Sequence, residues 1–482
     1  MNPTLNLHDF AALSPLMILL VGALSLLLLE SFAPEAAKRF ISLETAVVIV
    51  MALCANFAAP VSENPLLTPW ILFDPLSRFF TSFFLIVGLA STFLSVSFFS
   101  RFEIKSNGEY FFLLLSCLFG LVLVGSAADF LTLFLGVETL SISLYILCGY
   151  MKMWKISHEA SMKYFLMGAL ATAFLIYGIA LIYGAVGSTR FSALLPAYQA
   201  LATTSTKALF LGGVALVTLG LAFKAAIVPF HVWAPDVYEG ASTPVTAFMA
   251  VGTKAGAFAA FIRVFMGALP NFDLLWNEGI SLLAILTLVY ANFVALRQVQ
   301  LRRFFAYSGI SHAGFLLIPL AAGTSEALPA LLFYLVVYSL ATFGAFAVVA
   351  LLDRRSEGVI LHDLFGLFQR SPVQAAILSL CLLTLAGIPP TAGFFAKLYL
   401  FKMAFEAGNY TLVIVALLMT VVASYYYLRI ISVMYSEKPS EEETASRSWP
   451  AVLVGAVSCV GIITLSVYPE PVLSLLLSIN IG

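Results

Sequence analysis

Apolar segments of about twenty residues repeat along almost the whole sequence, and they constrain its fold more than any other feature. A helix needs about 20 predominantly apolar residues to cross the hydrocarbon core of a bilayer. Hydrophobic residues make up 61% of the 482 residues and charged residues only 10%, a composition that excludes an ordinary soluble protein. The sequence therefore predicts an all-α polytopic membrane protein.

The apolar pattern predicts about fourteen membrane-spanning helices. The first predicted span is interpreted as a retained helix and not as a cleaved signal peptide. It is long enough to cross the membrane, and no basic segment precedes it. The segment 372–404 is too long for one straight crossing and is expected to be broken, whereas the short tail 471–481 is expected to lie along the membrane surface. The predicted spans are 11–30, 41–59, 74–99, 109–127, 130–150, 159–184, 207–235, 244–267, 275–296, 304–322, 328–351, 372–404, 411–435 and 449–468.

Lysine and arginine residues are concentrated in alternate loops between these helices. Loops rich in these residues normally face the cytoplasm, so both termini are predicted to lie on the other side of the membrane. The basic loops contain Lys38 and Arg39, Arg101 and Lys105, Lys152 and Lys155, Arg297, Arg302 and Arg303, Arg354, Arg355 and Arg370, and Lys438 and Arg447.

The order of the predicted helices indicates an internal repeat. Spans four to eight and nine to thirteen form two groups of five helices. Because five is odd, the second group must begin on the opposite side of the membrane, which is the topology of an inverted repeat. The predicted organisation is three N-terminal helices (1–108), two inverted repeats that each form a half-channel (109–267 and 268–435), and a last helix with its tail (436–482).

Two proline-containing segments predict breaks in membrane helices. In GLAFKAAIVPFHVW, Lys224 precedes Pro229, and in LAGIPPTAGFFAKLYL a proline pair precedes Lys397. Proline removes a helical hydrogen bond, and the freed backbone groups must be satisfied by protein or by a hydrated cavity. A charge beside such a break is typical of an ion pathway. The alternative for Lys224 is a side chain that reaches the lipid surface from a helix end.

Three further charged residues within the predicted helices are candidate site residues. Glu138 is expected to pair with Lys224, and its alternative is a neutral carboxyl bonded to a backbone carbonyl. Lys254 is surrounded by glycine and alanine, small residues that leave room for water, and it is predicted to relay protons. Lys163 lies only about one turn inside its helix, so transport and contact with the membrane surface both remain open.

Histidine and hydroxyl side chains extend this set of candidates. His231 and His312 could link the charged groups, because imidazole titrates near neutral pH, although a structural role is the alternative for each. The hydroxyl groups of the segment YSGIS, just before His312, could line a hydrated path. The run Tyr425–Tyr427 is expected to be an interfacial belt or a packing surface.

Cofactor motifs are missing from the sequence. The five cysteines form no C-x-x-C pair, and the phosphate-binding pattern G-x-x-x-x-G-K-[ST] does not occur. The sequence therefore predicts no zinc site, no iron–sulfur cluster, no nucleotide and no redox centre in this chain.

Three segments carry a family resemblance. FKAAIVPFHVWAPDVYEGASTPVTAF, RRFFAYSGISHAGF and AGIPPTAGFFAKLYL resemble, in order and spacing, the antiporter-like membrane subunits of respiratory complex I, the proton-pumping NADH:quinone oxidoreductase. The resemblance extends from about residue 74 to residue 429. It implies proton translocation driven by quinone reduction in other subunits, in the inner membrane of a bacterial cell.

The resemblance also implies roles for individual residues. Glu138 and Lys224 would form a pair that tunes proton release, Lys254 would be the central relay with His312 next to it, and Lys397 would act at the exit half-channel. It further implies partners: other membrane subunits, with FMN, iron–sulfur clusters, quinone and NADH bound elsewhere in the complex, and no nucleic acid. Two functions remain open beside it, a cation/proton antiporter subunit without redox coupling and a structural membrane subunit with an inactive channel.

Overall fold

The computed structural model describes residues 4–34, 38–102, 107–270, 274–323, 327–353, 358–436 and 448–481. Over these ranges the protein is all-helical, and thirteen helices are long and apolar enough to cross a membrane. The predicted fold class is confirmed. Some basic residues used above to predict the orientation lie outside the described residues: Lys105, Arg354, Arg355, Lys438 and Arg447.

The helices are numbered here in chain order. They are α1 (Leu7–Ala12), α2 (Ser14–Phe32), α3 (Ile41–Ala58), α4 (Pro75–Arg101), α5 (Gly108–Gly125), α6 (Phe130–Cys148), α7 (Lys155–Val186), α8 (Phe191–Gln199), α9 (Thr204–Ala225), α10 (Trp233–Gly240), α11 (Thr243–Ala268), α12 (Leu274–Ala295), α13 (Leu301–Ala322), α14 (Ala327–Leu352), α15 (Leu367–Arg370), α16 (Pro372–Ala386), α17 (Ala392–Glu406), α18 (Tyr410–Ser436), α19 (Trp449–Val467) and α20 (Glu470–Leu477).

The first predicted break lies between α9 and α10. Helix α9 ends at Ala225, and Ala226 adopts the left-handed conformation with φ 58°. Pro229 follows three residues later and has no N–H group with which to continue the helix. The indole of Trp233, the first residue of α10, donates a hydrogen bond of 2.8 Å back to the carbonyl of Phe223. The break therefore begins two residues before Val228, and this hydrogen bond ties the start of α10 to the last turn of α9.

The second predicted break lies between α16 and α17. Helix α16 ends at Ala386, Gly387 is left-handed with φ 77°, and α17 begins at Ala392. Each half has 15 residues, so only the pair has the length of a crossing. This pair accounts for the predicted segment 372–404 and brings the crossings to the expected number. The breaks differ in one respect: Lys224 precedes the first, whereas Lys397 follows the second.

Two helices form the interior of the bundle. Helices α11 and α13 are completely buried over their most apolar 18 residues. Helix α11 contains two π-helical segments, Met249–Thr253 and Ile262–Ala268, which flank the α-helical stretch that begins at Lys254. Such π segments occur frequently at functional sites. Lys254 on α11 and His312 on α13 are thus buried inside the protein, whereas Arg303, near the start of α13, is 33% exposed.

A buried ion pair fixes the C-terminal part of α11. The guanidinium of Arg263 donates hydrogen bonds of 2.5 and 2.7 Å to the two carboxylate oxygens of Asp74, the residue that caps α4. Its Nε donates a further bond of 3.0 Å to the carbonyl of Gly125, at the end of α5. One side chain therefore joins three helices at this end of the bundle.

Candidate functional site

The ammonium group of Lys224 lies in an aromatic cage. The side chain is buried, and Nζ is 5.3, 5.5 and 5.8 Å from the ring centres of Tyr145, Tyr164 and Phe223. Nζ also donates a long hydrogen bond of 3.4 Å to the Tyr145 hydroxyl. The negative faces of aromatic rings attract a cation at these distances. The cage therefore supplies attraction that compensates in part for the loss of water.

The direct ion pair predicted between Glu138 and Lys224 is not formed. Glu138 is half-buried and accepts a hydrogen bond of 2.6 Å from the Thr172 hydroxyl on α7. Tyr145, seven residues after Glu138, lies on the same face of α6 about two turns away and is the residue that Lys224 contacts. The two charges therefore do not touch in this structure, and Lys224 instead contacts Tyr145, a partner that apolar periodicity could not reveal.

Lys254 has a hydroxyl partner. Its side chain is 1% exposed, and Nζ donates a hydrogen bond of 3.2 Å to Tyr238 on α10. The Tyr338 hydroxyl, from α14, donates a bond of 3.1 Å to the carbonyl of Ala250, one turn before Lys254. The described ion pairs do not include Lys254. Its ammonium is held by neutral groups only, so its charge is not compensated locally.

His312 lies at the centre of a tyrosine cluster. Its Nδ1 is 2.6 Å from the Tyr334 hydroxyl, and its Nε2 is 3.2 Å from the Tyr427 hydroxyl. Tyr427 is in turn 2.5 Å from the Ser308 hydroxyl, one turn before His312 on α13. A hydroxyl can donate or accept, so both ring nitrogens keep a partner in either protonation state. This arrangement suits a residue that passes a proton on.

Lys397 is held by the backbone that the second break sets free. Its buried Nζ donates a hydrogen bond of 2.8 Å to the carbonyl of Ala386, the last residue of α16, and lies 4.6 Å from the ring centre of Phe315. The last carbonyls of a helix have no intrahelical donor and carry the negative end of its dipole. The break therefore provides the group that binds the ammonium.

A small cavity lies between His312 and Lys397. Its volume is about 10 Å³, which is close to the space that one water molecule requires. The side chains of Tyr334, Tyr338 and Thr384 also border it, but the atoms that face the cavity are apolar. The cavity therefore separates His312 from Lys397 without supplying the polar partners that a stable water needs.

Two predicted site residues lie apart from this group. His231 packs against Tyr290, with ring centres 4.6 Å apart, and lies beside the backbone of Pro229. Lys163 is 40% exposed and forms ion pairs of 2.7 Å with Glu159 and 2.8 Å with Asp236. Among the described contacts, neither residue touches Lys224, Lys254 or Lys397. The structure thus brings together Lys254, His312 and Lys397, with Lys224 caged beside the first break.

Tyrosines are the site residues that the sequence analysis missed. Of the two alternatives for Tyr425–Tyr427, an interfacial belt or a packing surface, the second describes Tyr426 and Tyr427, which are buried, whereas Tyr425 is 63% exposed. The Tyr426 hydroxyl donates a bond of 2.9 Å to Asn292, which itself donates to Ser311. The sequence did contain a signal for these residues, because a tyrosine inside a membrane-spanning segment needs a hydrogen-bond partner for its hydroxyl.

Metal ligands do not cluster in the part of the chain that the structure describes. There, no group of three or more histidine, cysteine, aspartate or glutamate side chains is placed to hold a metal ion. Near the second break, Lys254 and His312 have hydroxyl partners, and Lys397 has a backbone carbonyl. This donor set suits proton transfer.

Known proteins share both this sequence and this fold. Residues 127–423 match the family described as NADH:quinone oxidoreductase/Mrp antiporter, TM. NADH-quinone oxidoreductase subunit N of Protochlamydia amoebophila is 60% identical over 477 residues, which are 99% of either chain. Its counterpart in Trichlorobacter lovleyi is 38% identical and covers 98% of this chain and 96% of that protein.

A solved structure agrees with these relatives. A chain of respiratory complex I from Thermus thermophilus with bound aureothin superimposes with a TM-score of 0.80 and 34% identity, over 95% of this chain and 98% of that one. The resemblance seen in the three sequence segments is confirmed over the whole length. The chain belongs to the NADH:quinone oxidoreductase/Mrp antiporter transmembrane family.

Proposed function

We propose that this chain is the N-type membrane subunit of a proton-pumping NADH:quinone oxidoreductase and that it carries protons through its interior. The observation that carries the proposal is the buried group formed by Lys254, His312 and Lys397: tyrosine hydroxyls contact the first two, a backbone carbonyl contacts the third, and a small cavity lies between His312 and Lys397. Burial of lysines without local countercharge is unfavourable in a membrane and is found mainly at sites of transport. The names of the relatives give the class of complex.

In the mechanism that we infer, the position of an opposite charge near a buried lysine controls whether that lysine keeps or releases its proton. At an effective dielectric constant of about 20, moving an opposite charge from about 4 to about 8 Å changes the Coulomb energy by roughly 2 kcal/mol. About 1.4 kcal/mol changes a proton-transfer equilibrium tenfold. Modest movement of Glu138 relative to Lys224 is therefore enough to bias proton release. The proton would then pass through Lys254 and His312 to Lys397.

The proposal also covers the organisation of the chain, its orientation in the membrane and its partner subunits. The two five-helix groups, 109–267 and 268–435, would be half-channels, between the N-terminal helices (1–108) and the last helix with its tail (436–482). Both termini would lie on the non-cytoplasmic side of a bacterial inner membrane. Other membrane subunits would be direct neighbours, and FMN, iron–sulfur clusters and the sites for NADH and quinone would be in partner subunits.

The experiment that tests the function compares two substitutions of Lys397 in the assembled complex. Lys397→Ala removes the relay, and Lys397→Arg keeps the charge but does not release a proton at neutral pH. Both variants are expected to lower proton pumping and, through coupling, quinone reduction. Lys402→Ala is the matched control: it lies on the same helix, is 61% exposed and has only a surface ion pair with Glu406, so normal activity is expected.

Three outcomes would contradict the proposal. Near-normal pumping in Lys397→Arg, in a normally assembled complex, would show that the residue only anchors α17. Normal turnover and pumping after neutral replacement of Lys224, Lys254 and Lys397 would indicate a structural subunit. Exchange of Na⁺ for H⁺ by the purified complex in the absence of any electron donor would instead support an antiporter.

A further inference from the structure

Helix α10, which follows the first break, contacts the surroundings of two buried lysines. Trp233 stacks on Tyr164, with ring centres 4.5 Å apart and ring planes 15° apart, and Tyr164 is one wall of the Lys224 cage. Five residues after Trp233, the hydroxyl of Tyr238 accepts the hydrogen bond of 3.2 Å from Lys254. One helix of eight residues therefore carries both a neighbour of the Lys224 cage and the partner of Lys254.

The outer side of α10 carries two carboxylates. Asp236 and Glu239 are three residues apart and thus lie on the same side of the helix, whereas Tyr238 lies on the side opposite Asp236. Asp236 is 33% exposed, and Tyr238 is completely buried. The helix therefore separates a surface that water reaches from the group that Lys254 contacts.

Asp236 joins α10 to the helices on either side of it. Its Oδ2 is 2.8 Å from Nζ of Lys163 on α7, and its Oδ1 accepts a hydrogen bond of 2.8 Å from Arg303 on α13. Arg303 also donates a bond of 2.7 Å to Glu239. A single exposed ion pair contributes little, but here one carboxylate is shared by two cations within a network. Without that carboxylate, two like charges from different helices would repel each other across α10.

We infer that Asp236 is a positioning residue for proton transfer: by tying α10 to α7 and α13, it holds the Tyr238 hydroxyl against the Lys254 ammonium. The inference rests on the proposed function. The bond between Tyr238 and Lys254 is 3.2 Å long, which is the upper end of the usual range for a nitrogen donor and an oxygen acceptor. A displacement of α10 by about half an ångström would therefore break it.

The test uses Asp236→Asn and Asp236→Glu in the intact membrane complex. We expect Asp236→Asn to lower proton pumping and coupled quinone reduction about tenfold, because small displacements of groups that transfer protons are costly. Asp236→Glu should recover most of that loss, since it keeps a carboxylate between the two cations. Glu159→Gln is the matched control: Glu159 also pairs with Lys163, at 2.7 Å, but it lies on α7 itself and is 64% exposed, so normal pumping is expected.

Two further variants distinguish positioning from a proton-carrying role of Asp236. Arg303→Gln should reproduce the tenfold loss, although a guanidinium does not release a proton at neutral pH. This variant also decides the question if Asp236→Asn fails to assemble. In a Tyr238→Phe background, Asp236→Asn should cause little further loss, because both substitutions break the same contact.

Four outcomes would overturn the inference: normal pumping in Asp236→Asn, normal pumping in Arg303→Gln, equal damage by asparagine and glutamate, or a full further loss in the Tyr238→Phe background. Lys254→Ala separates the inference from the proposed function. If Lys254→Ala pumps normally, the proposed function fails. If it is inactive while Asp236→Asn is normal, only the inference fails.

Discussion

The ion pair between Asp74 and Arg263 allows a quantitative prediction. Burial of the Asp74 carboxyl raises its pKa, but the hydrogen bonds and the charge of Arg263 outweigh burial and lower the pKa from its usual 3.8 to about 2. At about 1.4 kcal/mol per pKa unit, this difference corresponds to roughly 2.5 kcal/mol of stability. Asp74→Asn removes the charge and leaves the Arg263 guanidinium, which is 1% exposed, without a countercharge. Breaking a buried pair in this way typically costs 3–5 kcal/mol.

The sign of the pH dependence follows from the lowered pKa. A group with a depressed pKa in the folded state stabilises the protein above its unfolded pKa, and that stability is lost as the pH falls through the folded value. The wild-type protein should therefore lose this contribution between about pH 4 and pH 2, and Asp74→Asn should not show that part of the loss.

The measurement is the thermal unfolding midpoint of the purified complex as a function of pH. Glu406→Gln is the matched control, because its pair with Lys402 is 52% and 61% exposed and 3.7 Å long; such surface pairs contribute about 0–1 kcal/mol. The double variant Asp74→Asn with Arg263→Met should be less destabilised than the sum of the two single variants. Equal midpoints for Asp74→Asn and Glu406→Gln at pH 7 would refute the reasoning.

Further predictions concern function and topology. Losses in pumping caused by Glu138→Gln and Lys224→Ala should be non-additive in the double variant, and strictly additive losses would show that the two charges act independently. Cysteine introduced at Met153, which is 92% exposed, should react only with reagents on the cytoplasmic side, and cysteine at Val61, which is 51% exposed, only from the opposite side; the reverse pattern would invert the predicted topology. Lys163→Arg should retain quinone reduction and pumping, because arginine can keep the surface ion pairs; a loss as large as that in Lys163→Ala would instead assign the residue to transport.

The sequence alone determined the membrane fold and the position of both helix breaks. A run of apolar residues has one stable solution in lipid, a helix that satisfies its own backbone, so length and composition predict spans directly. Proline acts locally through its missing N–H, and both breaks occur beside the prolines that predicted them. The buried lysines were likewise evident, since a charge in an apolar segment stands out without any knowledge of its neighbours.

Only the tertiary structure decided what each lysine contacts. Lys224 meets an aromatic cage instead of Glu138, Lys397 binds the carbonyl of Ala386, and the small space beside His312 is formed by four helices. These partners are distant in sequence, and their hydroxyls and carbonyls occur too often along the chain to be singled out by composition or periodicity. Helical periodicity fixes the face on which a residue lies, whereas helix packing fixes the residue that it faces.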